Sequence, residues 1–167
     1  MKKIKRDLIK KLKKIKLFAL DFDGVFTDGK VYLNQDGVEM VVCSRRDSLG
    51  MNLLKKEGVK FVVLSMEPNP IVAKRCEKLK IEMLYSPNDK LSLFKDLIKR
   101  EKVKIEEVAY MGDDLNDLDC LKYAGVAFTV KDGASECIKA ADYVTKRQSG
   151  DHALREVCDL ILASHFN

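Results

Sequence analysis

The sequence predicts an α/β fold in three layers, with a central, mostly parallel β-sheet flanked by helices. Three observations predict it. Short apolar runs alternate with amphipathic helical stretches along the whole chain. The first three runs stop at a carboxylate, a proline and a glycine: Asp21, Pro68 and Gly112. The chain has 167 residues, enough to bury a real core in one domain spanning 1–167. Strands interleaved with helices imply βαβ units and right-handed crossovers.

The leader comes first. Residues 1–16 carry nine Lys/Arg and one Asp, a local charge of +8. The remaining 151 residues carry 22 basic and 25 acidic residues, so the net charge of +5 belongs to the leader and the body is slightly acidic. Ile4, Leu8, Leu12 and Ile15 recur at helical intervals, which predicts a basic amphipathic helix docked on the domain. A membrane-surface or nucleic-acid role for it is the weaker alternative. The leader lacks the apolar region of a secretory signal, and no stretch approaches the ~18 apolar residues of a membrane span.

IKLFALDFDG is then read as the first strand. Residues 29–43 hold two β-rich runs about a turn at Asn34–Gly37, which predicts a β-hairpin inserted after that strand. SLGMNLLKKEG follows as a helix. VKFVVLSMEPNP is the second strand, bounded by Pro68 and Pro70, and IVAKRCEKLK the next helix. The turn SPND opens the helix of DKLSLFKDLIKREK. EVAYMGDDLND is the third strand, AGVAFTV the fourth and ADYVT the fifth. DLDCLKYAG, ASECIKAA and HALREVCDLILASHF are helices. The hairpin is the largest insertion, so little chain remains for a separate cap domain. Cys43, Cys76, Cys120, Cys137 and Cys158 are scattered and form no C-x-x-C pair, which argues against zinc or a disulfide framework. They are expected as small core hydrophobes in a reducing cytoplasm.

The chemistry lies at the strand tips. In an open α/β sheet, ligands sit beyond the carboxyl ends of the strands. Asp21 and Asp23 fall at one such end, and Asp113, Asp114, Asn116 and Asp117 follow the third strand. That density of like charge is costly without a cation among it, and oxygen-only ligands suit Mg²⁺. One carboxylate can attack phosphorus, and a second can protonate the leaving alcohol and later activate water. Ser65 ends another strand and Lys90 opens a helix, so a hydroxyl and an ammonium are available to phosphoryl oxygens. Taken singly, each residue has a blander explanation as a turn, a cap or a solvated charge. Their joint order along the chain makes that explanation the weaker one.

These residues resemble the haloacid dehalogenase-like (HAD) phosphohydrolases. Four motifs match in order: DFDGVFTD at Asp21–Asp28, the hydroxyl Ser65, the lysine Lys90, and GDDLND at Gly112–Asp117. The resemblance implies a Rossmann-like fold with Asp21 as nucleophile and Asp23 as acid/base. It implies Mg²⁺ held by the Asp21 carboxylate, the Asp23 carbonyl and Asp113. Ser65 and Lys90 would bind the transferring phosphoryl group, and Asp114 and Asp117 would support the metal shell and Lys90. RDSLGMNLLKKEGV, EEVAYMGDDLNDLDCLKYAGV and ALREVCDLIL look further like the capless branch of 3-deoxy-D-manno-octulosonate (KDO) 8-phosphate phosphatases and nonulosonate 9-phosphate phosphatases. That branch includes a phosphatase-like domain fused to some acylneuraminate cytidylyltransferases. Its members are typically homotetramers in which hairpins pack at the interface and neighbours cover each active site.

The octulosonate enzymes usually carry Gly-Arg after the second-motif hydroxyl, whereas this chain has SMEPNP. Glu67, Arg75 and Lys78 stand where nonulosonate-type members have Glu, Arg and Lys. Arg75 and Lys78, at i and i+3, are suited to a substrate carboxylate, and Glu67 to sugar hydroxyls. The expected substrate is therefore a nonulosonate 9-phosphate first and KDO 8-phosphate second. Arg46–Asp47 matches an RDG-like stretch with Ser48 in place of glycine, which makes Arg46 a candidate substrate contact. The usual GGxGA is here SGDHA, Ser149–Ala153, and His152 in it reads as a cap-region or interface residue. Two other functions remain: a non-catalytic oligomerisation module beside a cytidylyltransferase, and a nucleic-acid-associated phosphatase using the leader. Retention of Asp21, Asp23, Lys90 and Asp113 opposes the first. A small sugar-acid phosphate is the expected partner, with no nucleic acid and no membrane.

Overall fold

The computed structural model describes residues 6–166. Its helices are α1 (Arg6–Leu12), α2 (Arg45–Lys56), α3 (Pro70–Leu79), α4 (Lys90–Glu101), α5 (Leu118–Tyr123), α6 (Ser135–Ala140) and α7 (Ala153–His165). Its strands are β1 (Leu17–Leu20), β2 (Tyr32–Leu33), β3 (Glu39–Met40), β4 (Lys60–Ser65), β5 (Glu82–Tyr85), β6 (Val108–Met111), β7 (Val126–Thr129) and β8 (Tyr143–Val144). Six strands form one sheet in the order β5-β4-β1-β6-β7-β8, and every pairing in it is parallel.

Both faces of the sheet are covered, and the alternation along each strand shows it. Phe18 and Leu20 of β1 join Phe61, Met111 and Phe128 in a core with Leu12, Leu54, Val72 and Ile161 of α1, α2, α3 and α7. Leu17 and Ala19 point the other way, into a core with Phe94, Cys120 and Cys137 of α4, α5 and α6. Being buried on two faces is why LFAL reads as continuously apolar. From β1 the chain passes to β4 and β5 on one side, then returns to β6, β7 and β8 on the other. β1 therefore stands at the topological switch point, where a doubly wound sheet opens a crevice for ligands.

Two elements differ from the sequence expectation. β5 is a sixth sheet strand at the edge, and its half-exposed EMLY has no apolar run to announce it. The leader helix ends at Leu12, and Lys13–Lys16 form the turn into β1. Ile15 is nevertheless buried with Leu12, and Leu8 packs on the same core. Ile4 lies outside the described residues. The expected hairpin is present as β2 and β3, paired antiparallel. Its turn is closed by Asn34, whose Oδ1 accepts the N–H groups of Asp36 and Val38. Four of the five free cysteines are buried and Cys43 is half-buried. Among the described residues no helix is long and apolar enough to cross a membrane.

Candidate active site

The carboxyl ends of β1, β4 and β6 deliver the site. Asp21 follows Leu20 directly and is buried, and its Oδ1 accepts the Phe22 N–H at 2.7 Å. Asp89 caps α4 by accepting the Ser92 N–H, which makes Lys90 the first helical residue. The Lys90 side chain, 2% exposed, donates to Asp21 Oδ2 at 2.8 Å and to Asp117 Oδ1 at 2.7 Å. Two acids far apart in sequence, one just past β1 and one in the turn after β6, are thus tied to one buried ammonium.

Asp117 is saturated. Its Oδ1 also accepts from the Tyr110 hydroxyl at 2.6 Å, and its Oδ2 accepts the N–H groups of Asp113 and Asp114 at 2.9 and 3.4 Å. A carboxylate offers about four lone-pair sites, and here all four are used. Asp117 is therefore a structural hub that fixes Lys90 on one side and the Asp113–Asp114 backbone on the other. Asp114 caps the next turn by accepting the Leu115 N–H.

Oxygens of Asp21, Asp113 and Asp117 lie within 4.8 Å of one another. Three carboxylates face one ammonium, so two negative charges are uncompensated. Burial pushes Asp21 up to about 8, with Asp117 adding to the rise and Lys90 opposing it. Burial, then Asp117 and Asp114, raise Asp113 to about 7. Burial works against the charge on Lys90, but Asp21 and Asp117 outweigh it and hold the ammonium above its ordinary range. The donor set is hard oxygen throughout and short of two positive charges, which fits a divalent hard cation. Gly24, with φ +72, closes the loop against Asp113, since a Cβ there would overlap the Asp113 carboxylate.

Asp21, Asp23, Ser65 and Glu67 line one cavity of about 370 Å³ with Val31, Glu39, Asn69 and Asn116. The buried Ser65 hydroxyl turns the loop that carries Glu67, accepting the Glu67 N–H and donating to its carbonyl, both at 3.1 Å. The remaining candidates lie elsewhere. Arg75 donates to the Ser44 carbonyl at 3.2 Å and to Ser48 Oγ at 2.8 Å, which places it against the start of α2 and outside that lining. Lys78 is exposed on α3. Arg46 lines a separate basin of about 950 Å³ with Lys131, Arg147 and His152. His152 sits at the start of α7 with φ +65, and its Nδ1 is 2.7 Å from Ser44 Oγ.

Sequence reasoning missed two residues. Thr27 is fully buried inside the first motif, and its hydroxyl donates to Asp23 Oδ1 at 3.1 Å. Tyr110 sits on β6 and reaches Asp117. A polar group in an otherwise apolar strand, three residues before the acidic tip at Asp113, was the available signal for Tyr110.

The comparisons with known proteins agree with this geometry. A family model for haloacid dehalogenase-like hydrolases matches residues 65–156. The 3-deoxy-D-manno-octulosonate 8-phosphate phosphatase of Escherichia coli (strain K12) is 36% identical over 160 residues, 95% of this chain and 85% of that protein. N-acylneuraminate cytidylyltransferase A of Danio rerio is 32% identical over 150 residues, 89% of this chain and 35% of that longer protein. The crystal structure of the octulosonate phosphatase from Moraxella catarrhalis, in complex with a magnesium ion, a phosphate ion and KDO, gives a TM-score of 0.92. It is 34% identical and the match covers 96% of this chain and 93% of that one. Strand-tip carboxylates, a buried lysine and a near-full-length match therefore converge: the chain is an enzyme of the haloacid dehalogenase-like hydrolase family, in the capless branch of the 3-deoxy-D-manno-octulosonate 8-phosphate phosphatases.

Proposed function

We propose that the protein is a Mg²⁺-dependent phosphomonoesterase acting on a phosphorylated 3-deoxy-2-keto sugar acid in the cytoplasm. The observation that carries this reading is the buried Asp21–Lys90–Asp117 network beside Asp113 at the switch point. Asp21 attacks phosphorus and the P–O bond to the sugar breaks. Its electron pair goes to the leaving oxygen, which departs as an alcohol with the proton of Asp23. Asp23, now a carboxylate, takes a proton from the water that releases phosphate from Asp21. Lys90 and Ser65 hold the transferring oxygens. Asp21, Asp113 and the Asp23 carbonyl would hold Mg²⁺, because Asp117 has no lone pair left. The ion supplies charge neutralisation at the phosphoryl group.

A second copy completes the site in this reading. Among the described residues, the cavity lining contains Asp21, Asp23, Glu39 and Glu67 but no Lys, Arg or His. Lys90 and the metal serve the phosphate, so the substrate carboxylate still needs a cation there. The hairpin leaves Val31, Tyr32, Leu33, Val38, Met40 and Val42 more than half exposed. That is a surface suited to burial against other copies in a homotetramer. Arg75, Lys78 and Arg46 then serve as substrate contacts offered to a neighbouring site.

Phosphate release compared across KDO 8-phosphate, nonulosonate 9-phosphates and glucose 6-phosphate tests the substrate class. A preference of ~100-fold in kcat/KM for one acidic sugar, about 2.7 kcal/mol, is expected. Glu67, Arg75 and Lys78 favour the nine-carbon acid, and the names of the relatives favour the eight-carbon one. Equal, poor turnover of all three would overturn the sugar-acid assignment.

The metal site has its own test. Asp21 and Asp113 bind protons more tightly in the folded protein than at their ordinary 3.8. Their contribution to stability is full below about pH 4 and is lost as pH rises through about 7 and 8. Mg²⁺ needs them ionised, so the rise in Tm that it gives should widen between about pH 6 and 8. A Tm rise that stays constant across that range would contradict the site.

A further inference from the structure

The Asp23 carboxylate is held by a chain of contacts that runs to a loop more than a hundred residues away. The Thr27 hydroxyl donates to Asp23 Oδ1 and accepts the N–H groups of Gly24 at 3.3 Å and Gly29 at 3.1 Å. A hydroxyl has one proton and two lone pairs, so the two amides commit its proton to Asp23. Oδ1 is thereby an acceptor in both protonation states, and the acid proton of Asp23 rides on Oδ2.

The backbone of Thr27 is itself pressed from behind. Gly150, with φ +68, packs so closely that a Cβ on it would lie 2.7 Å from Asp28 N and 3.0 Å from the Thr27 carbonyl carbon. Both are backbone atoms, which cannot step aside as a flexible side chain would. The loop bearing Gly150 is clamped at two points on its N-terminal side. Ser149 N and Oγ donate to the two Asp132 oxygens at 2.8 and 2.9 Å. The Glu156 carboxylate accepts the N–H groups of Lys146 and Arg147 at 3.0 and 3.2 Å.

We propose that the loop of residues 146–151 and Thr27 form a positioning unit for Asp23, with Gly150 as its bearing surface. The unit selects which Asp23 oxygen delivers the proton to the leaving group. The inference rests on reading Asp23 as the acid. Thr27 and Gly150 are positioning residues, because neither lines the cavity.

Leaving-group dependence tests it. The departing alkoxide of a sugar phosphate needs a proton, whereas p-nitrophenolate leaves without one. kcat/KM for the two esters reports the step in which that oxygen departs. Thr27→Val should lower kcat/KM for the sugar phosphate by about 100-fold and for p-nitrophenyl phosphate by less than tenfold. Thr27→Ser should recover most of the loss. Gly150→Ala should show the same split at about tenfold. Asp132→Ala, which frees the clamp from an exposed position, gives the same reading if the alanine at 150 prevents folding. The proposal is overturned if these variants lower both esters equally, or neither, while Asp23→Asn splits them. If Asp23→Asn fails to split the esters, the acid reading of Asp23 falls instead.

Discussion

Replacing Asp21 with Asn should abolish phosphate release while leaving the protein folded. Asn keeps the size of the buried side chain, and Lys90 keeps its 2.7 Å partner Asp117. What disappears is the oxygen that attacks phosphorus and one oxygen ligand of the cation. Loss of a nucleophile that acts as a unit with its neighbours costs on the order of 10⁴-fold or more in kcat. Phosphate release measured beside a thermal melt separates the two effects. Turnover that survives in a folded Asp21→Asn protein would remove Asp21 from the chemistry.

Replacing Lys90 with Met should be the most damaging change for stability. Met fills the space of the lysine stem but leaves Asp21 and Asp117 facing each other with no ammonium between them. Removing one partner from a buried ionic network costs about 3–5 kcal/mol, because the remaining charge is left uncompensated. For a chain of this size that corresponds to roughly 10 °C in Tm. The loss should be larger at pH 8 than at pH 5, because protonating Asp21 relieves the repulsion. Lys90→Met combined with Asp117→Asn should regain part of the stability and none of the activity, since phosphoryl oxygens would still lack their cation. A Lys90→Met protein as stable as the parent at pH 8 would show that the network carries far less energy than its burial implies.

The parts of this enzyme that were legible in the sequence are those whose signal is local. LFAL is buried on both faces and so is apolar at every position, and the acids of DFDG mark where it ends. The Asp89–Lys90 pair reads as a helix start, and the structure puts Lys90 between Asp21 and Asp117. β5 was illegible because an edge strand with half-exposed side chains needs no apolar run. Tyr110 and Thr27 were illegible for another reason. The partner of Tyr110 is seven residues away and is reached only because the turn after β6 folds back, and the role of Thr27 is decided by two backbone amides. Helical spacing put Arg75 and Lys78 near one another, but spacing does not say what a helix face meets. Arg75 turns to Ser44 and Ser48 while Lys78 stays in solvent.

The key step is the transfer of the phosphoryl group from substrate to Asp21 and from Asp21 to water. It is tested most directly by rapidly quenching the protein with Mg²⁺ and a radiolabelled sugar-acid phosphate during turnover, then mapping the labelled peptide. Label is expected on the peptide containing Asp21, and none in the Asp21→Asn protein. Label on another residue, or phosphate released at full rate with no labelled protein at any quench time, would contradict it.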